Sequence, residues 1–167
     1  MLRSLTRAMA CLAVALLPLS GAQAATSAAS GATIQVTDLA NRTVRIPAKV
    51  DRILLGEGRL LPAIAVFDRQ DPARRLVGMM GEFEKLDEPG YAQWKTQFPQ
   101  VDKVPRVGRT NTGSFSDEQA IALRPQVAIL GMGGGHGPSE RDRETLARLE
   151  AAGVAIVFID FRHDPLK

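Results

Sequence analysis

Gln126-Val-Ala-Ile-Leu130 and Val154-Ala-Ile-Val-Phe-Ile159 are two near-continuous apolar runs. Between them lie the glycine turn Gly131-Met-Gly-Gly-Gly-His-Gly137 and the stretch from Ser139 to Ala152. Leu146, Leu149 and Ala152 of that stretch share one helical face, and Gly153 closes it. A strand without polar alternation is one buried on both faces, as in parallel sheets. The segment therefore reads as strand, glycine loop, helix and strand, with both strands in one parallel sheet.

The same alternation extends toward the N-terminus. Arg52-Ile-Leu-Leu55 is a short apolar run ending at Gly56, and Leu60 to Asp68 reads as a buried helix with Pro62 in its first turn. Arg75-Leu-Val-Gly-Met79 reads as a strand, Pro89 to Phe98 as a helix, and Val104 to Val107 as a short strand. Ser116-Asp-Glu-Gln119 opens a further helix with a capping-box pattern, and Pro125 stops it. Ahead of all these, Ile34-Gln-Val-Thr-Asp38 and Thr43-Val-Arg-Ile46 alternate around a polar turn, the mark of a β-hairpin. The expected fold is α/β: a parallel sheet with helices on both faces and an N-terminal β-hairpin. Ligands of such sheets meet the loops at the carboxyl ends of the strands. Here those loops are 56–59, 80–81, 108–110, 131–137 and 160–163.

The N-terminal end reads as an export signal. Arg3 and Arg7 precede an apolar run from Ala8 to Leu17, Pro18 breaks it, and Ala22-Gln-Ala24 fits a cleavage site. The run is too short to span a bilayer, which takes roughly 20 apolar residues. The expected division is a signal peptide over 1–24, a Ser/Ala/Gly-rich leader over 25–33 and one α/β lobe over 34–167. The only cysteine, Cys11, lies inside the signal and comes too early for a lipidation site. The mature chain then has no thiol, which removes disulfides, thiol nucleophiles and Cys-based zinc sites. Taking Arg3 and Arg7 from the 21 basic residues leaves 19 against 18 acidic, so the formal net charge falls from +3 to +1. With one Tyr, one Trp and interleaved charges, the chain lacks the footprint of a nucleic-acid binder.

The order of segments resembles the periplasmic substrate-binding proteins of ABC importers for iron-siderophore, haem and vitamin B12. The residues that carry the resemblance are Ile34-x-Val-Thr-Asp38 with Val44-x-Ile-Pro47, Asp51-Arg-Ile-Leu54 and Val107-Gly108. Glu118-Gln-Ala-Ile-Ala-Leu-Arg-Pro125-Gln-Val-Ala-Ile129 is the most specific, and Leu149-Glu-Ala-Ala-Gly153-Val-Ala-Ile-Val157 completes it. Gln126 departs from the family, which usually has Asp there. The family has two lobes clamping the ligand, and this chain matches the N-terminal one. The resemblance implies a monomeric, non-enzymatic periplasmic protein without a cofactor, which captures a ferric siderophore or similar chelate and delivers it to an ABC permease. A glutamate at the position of Glu118 docks on permease arginines in that family.

Candidate ligand contacts follow from the carboxyl-end loops: Glu57, Arg59, Met80, Arg109, Met132, His136 and Arg162. Arg59, Arg109 and Arg162 each fall just past an expected strand, and guanidinium forks suit anionic chelates. Each could equally be ordinary surface charge. The glycines of 131–137 permit close backbone approach to a ligand, with His136 at the lip, or merely make a turn. That stretch is neither a dinucleotide fingerprint nor a P-loop, since His136 stands where the third glycine belongs and no Gly-Lys-Ser/Thr follows. A nucleotide- or cofactor-binding enzyme domain is therefore the second reading. Haem, cobalamin or a free metal ion remains an alternative cargo for the first. His136 and His163 are the only histidines, too few for a metal site by themselves. Asn41-Arg-Thr43 matches a glycosylation acceptor by chance, and no residue set is placed for catalysis.

Overall fold

The computed structural model describes residues 31–109, 114–133 and 137–160. The expected signal peptide, His136, Arg162 and His163 lie outside the described residues. The hairpin forms as the alternation predicts: β1 (Thr33–Thr37) pairs antiparallel with β2 (Thr43–Pro47), Val36 opposite Val44. Asp38 builds its turn. The carboxylate accepts the N–H groups of Ala40 and Arg42, each at 3.0 Å, and Asn41 takes the left-handed φ of 56°.

The central sheet has four parallel strands in the order β4–β3–β7–β8. They are β3 (Ile53–Leu55), β4 (Leu76–Met79), β7 (Val127–Gly131) and β8 (Ala155–Ile159). All three residues of β3 are buried, and Ile53 is in register with both Leu76 of β4 and Val127 of β7. One face carries Leu54, Ala128, Leu130, Ile156 and Phe158 against Ala120 of α4 (Asp117–Ala122) and Leu146 and Leu149 of α5 (Arg143–Ala151). The other face carries Ile53, Leu55 and Ile129 against Leu61 and Ile64 of α1 (Leu61–Phe67), Phe83 of α2 (Glu82–Leu86), and Tyr91 and Trp94 of α3 (Glu88–Gln97). The sheet is thus clothed on both sides, as its continuous apolar strands require. Leu39 N–H donates to the Phe158 carbonyl at 3.2 Å, which ties the hairpin to the edge strand.

Three expectations need correction. Val104 to Val107 is not a strand: residues 99–103 form a 3₁₀ turn, and Arg106 makes only an isolated parallel bridge to Met79. Val104 and Val107 are both buried, but they lie three residues apart, a spacing that does not put them on one face of a strand. The helix expected from Ser139 begins at Arg143, because the Ser139 amide and hydroxyl both donate to the Asp142 carboxylate, at 2.7 and 2.9 Å. That side chain folds residues 139–142 into a turn instead. The short helix α2 went unread. The capping pattern at Ser116 is half realised: its Oγ accepts the Gln119 N–H at 3.3 Å, but its own amide donates to the Val107 carbonyl at 2.6 Å.

Candidate functional site

Parallel strands bring their carboxyl ends to one edge, and backbone bonds lock those ends together. Gly56 N–H donates to the Ile129 carbonyl at 2.9 Å, Met80 N–H to the Leu55 carbonyl at 3.3 Å, and Met132 N–H to the Ile159 carbonyl at 2.9 Å. Residues Gly56, Met80 and Met132, which leave β3, β4 and β7, are therefore held on one edge together with the end of β8. Two glycines show how tightly they are stacked. A Cβ at Gly58 would lie 2.6 Å from the Met80 carbonyl oxygen, and one at Gly137 would overlap the Gly56 carbonyl oxygen. Only glycine allows backbone to approach backbone this closely.

On this edge stand two acids and an arginine. Glu57 is 4% exposed and Glu82, the first residue of α2, is fully buried. The Arg59 guanidinium reaches Glu57 through Nη2 at 3.4 Å, while its backbone N–H donates to Glu82 Oε1 at 3.0 Å. Arg59 Nε and Glu82 Oε2 are buried without a hydrogen-bond partner among the described residues. Burial pushes the Glu82 carboxyl above its ordinary value and the Glu57 carboxylate pushes the same way, against the bonds from the Arg59 and Glu82 amides and the Arg59 charge. A buried polar atom left unpaired costs about 1–3 kcal/mol, so the arrangement is held by its surroundings. Chemically, the edge offers the Arg59 guanidinium, 35% exposed, as a donor backed by two buried carboxyl groups. A guanidinium in such a setting can donate to a ligand with acceptor oxygens.

Of the residues proposed from sequence, Glu57 and Arg59 meet in this cluster. Met132 is half-buried beside it, packed on the Leu130–Phe158 core. Met80 is fully buried in that core, so its side chain supplies packing and presents no surface to a ligand. Arg109 belongs to β5 (Gly108–Arg109), which pairs antiparallel with β6 (Ser114–Phe115) outside the parallel sheet. Glu118 is exposed on α4, beside Asp117, which is held by Arg148 of α5 at 2.9 Å. Glu82 was not foreseen. An acid at a helix start reads as a solvated partner of the helix dipole, and only its place under the Gly58–Arg59 turn shows otherwise.

No protein-family profile and no curated protein sequence matches the chain. Solved structures do. A TroA-like periplasmic binding protein, FepB, from Veillonella parvula superposes with a TM-score of 0.64 at 23% identity, over 78% of this chain and 38% of its own. The molybdate periplasmic binding protein MolA of a Haemophilus influenzae ABC transporter gives 0.59 at 21%, over 77% and 35%. The petrobactin-binding protein YclQ from Bacillus subtilis gives 0.51 at 14%, over 76% and 37%. The fold is accordingly that of the TroA-like periplasmic solute-binding proteins, and this chain spans little more than a third of the length of those it matches. All three are described as binding proteins, none as an enzyme.

Proposed function

We propose that the chain is the N-terminal α/β lobe of the solute-binding component of an ABC importer, which captures a ferric siderophore or similar iron chelate in the periplasm. The observation that carries this reading is the Glu57–Arg59 pair on the carboxyl edge of the parallel sheet, at 3.4 Å and flanked by loops in backbone contact. A chelate presents carbonyl or phenolate oxygens that accept from a guanidinium such as that of Arg59, which is 35% exposed. Petrobactin binding by one protein of the same fold supports the cargo, and molybdate binding by another is the reason to test more than iron. Arg109, His136 and Arg162 are retained as proposed further contacts, and periplasmic location follows from the proposed signal over 1–24.

Calorimetric titration of the purified protein with a ferric catecholate, a ferric hydroxamate, ferric citrate, haem, cobalamin and molybdate tests the cargo. A ferric siderophore should bind, and Arg59→Ala should weaken it at least ~10-fold, about 1.4 kcal/mol. Binding of haem or molybdate alone would replace the siderophore assignment.

Delivery is proposed to run through Glu118, which is exposed on α4. Glu118→Ala should lower uptake in reconstituted vesicles while calorimetric affinity stays unchanged. A matching fall in affinity would put Glu118 among the ligand contacts instead.

A further inference from the structure

Glu82 lies directly beneath the turn that carries Arg59, and one hydrogen bond joins the two residues. The Arg59 amide already donates to Glu82 Oε1 at 3.0 Å. Gly58, where a Cβ would stand only 2.6 Å from the Met80 carbonyl oxygen, brings that turn close over the start of α2. A Cβ there would also stand 3.6 Å from Glu82 Oε2. The second oxygen of Glu82 and the Nε–H of Arg59 are, respectively, a buried acceptor and a buried donor, and each lacks a partner among the described residues. Meanwhile, among the described residues, the guanidinium is held to Glu57 by a long contact of 3.4 Å through Nη2.

We propose that Glu82 is a positioning residue of the ligand edge: its Oε2 is a second seat for the Arg59 guanidinium, which alternates between Glu57 and Glu82. This rests on the assignment of Arg59 to the ligand edge. The exchange is governed by one proton. As a neutral acid, Glu82 attracts the guanidinium weakly and leaves it on Glu57; as a carboxylate, it competes with Glu57 for the same charge. Burial favours the neutral form of Glu82, so the exchange falls above the ordinary carboxylate range. The charged groups facing Glu82 from the turn are Glu57 and Arg59, while Met80 and Phe83 around it are apolar. Glu84 of its own helix is engaged by Arg106, which also donates to the Tyr91 hydroxyl at 2.6 Å, and Lys85 is exposed. None of these supplies a competing seat for Arg59. The consequence for binding is that a chelate's acceptor oxygen competes with one carboxylate at acid pH and with two at higher pH.

Proton–nitrogen NMR of the arginine Nε–Hε groups reads the exchange without any ligand, with Arg59→Lys identifying the signal. From about pH 4 to pH 8, the Arg59 signal should shift in one step whose midpoint lies above the ordinary glutamate value of about 4.3. Glu82→Gln should abolish that step. Glu57→Gln, which removes the first seat, should protect the Arg59 Hε from solvent exchange at least ~10-fold more, an effect of about 1.4 kcal/mol. A signal that does not move with pH, or moves identically in Glu82→Gln, overturns the proposal, as does unchanged protection in Glu57→Gln. The cargo is judged separately by titration with a ferric catecholate at acid and neutral pH. Failure of that chelate to bind while the NMR step persists discards the cargo and keeps the switch. Binding without an NMR step does the reverse.

Discussion

Replacing Phe158 by alanine should lower the unfolding free energy by about 3–5 kcal/mol, the range for deleting a large buried aromatic ring. Phe158 lies in β8, is 1% exposed, and meets the apolar residues that α4 and α5 press onto the sheet. Its ring also lies under the Arg42 guanidinium, 4.6 Å from the ring centre, and that cation–π contact is lost with it. Its backbone carbonyl receives the Leu39 amide, so a shift of the strand to fill the cavity would strain the hairpin junction as well. Urea denaturation should show a lowered midpoint with an unchanged slope. A loss below about 1 kcal/mol would mean that this face of the sheet relaxes freely, contrary to the tight packing typical of cores.

The second large effect comes from the same junction. The Asp38 carboxylate is wholly buried and Arg42 is its counter-charge, with Nη2 2.8 Å from Oδ2. Arg42 also donates to the Ile156 carbonyl at 2.8 Å, which binds the hairpin turn to β8. Removing one member of a buried pair costs about 3–5 kcal/mol. Arg42 is a third exposed, and Asp38 keeps the amides of Ala40 and residue 42, so Arg42→Ala should cost nearer about 2–3 kcal/mol.

Its pH dependence has a definite sign. Burial alone would raise the Asp38 carboxyl, but the amide and guanidinium of Arg42 and the Phe158 amide outweigh it and hold the group below its ordinary value. A depressed acid stabilises the fold above its unfolded pKa, near 3.9, and loses that contribution as pH falls through the folded value. The wild-type protein should therefore lose more stability than Arg42→Ala between about pH 5 and the acid limit. Parallel stability–pH curves would remove Arg42 from the account of the hairpin junction.

The elements most legible in the sequence are those whose burial is continuous. Leu54, Ile129 and Ile156 lie in apolar runs too short for helices and too unbroken for half-exposed strands, and all fall in the parallel sheet. The hairpin is equally plain, because apolar and polar residues alternate along both strands through Ile34, Val36, Val44 and Ile46, even though Ile34 itself is exposed. What escaped has a local cause in each instance. In Glu82-Phe-Glu-Lys-Leu86 only Phe83 turns inward among the apolar side chains, since Leu86 is 52% exposed, and five residues give no helical period. Pairing of Ser139 with Asp142 leaves α5 four residues shorter at its start than the leucine spacing suggests.

For the site, sequence could place Glu57 and Arg59 at a strand's carboxyl end but could not say that they bond to each other. Nor could it say that a third charged group lies below them. Glu82 is 23 residues from Arg59, and nothing in an acid at a helix start distinguishes a solvated side chain from a buried one. That distinction arises only when Gly58 is pressed onto the Met80 carbonyl. Met80 is buried for the related reason that a residue at the end of a strand can still point into the core.

The central position of Ile53–Leu55 sets a timetable for the chain's biosynthesis. Its partner on one side, β4, follows closely, but the junction to β7 is closed by Arg52 and Gln126, which lie 74 residues apart. At ribosomal speeds of about 5–20 residues per second, that partner emerges roughly 4–15 s after β3. Throughout that interval an Ile-Leu-Leu segment has an open edge and an uncovered face, a feature that invites pairing with other chains. The charged and turn-forming residues on either side, Asp51, Arg52 and Gly56, are placed where gatekeepers restrain such pairing. A sheet that cannot close until most of the domain has been made also stays unfolded longest, the condition under which a nascent chain is available to a translocation apparatus or a chaperone.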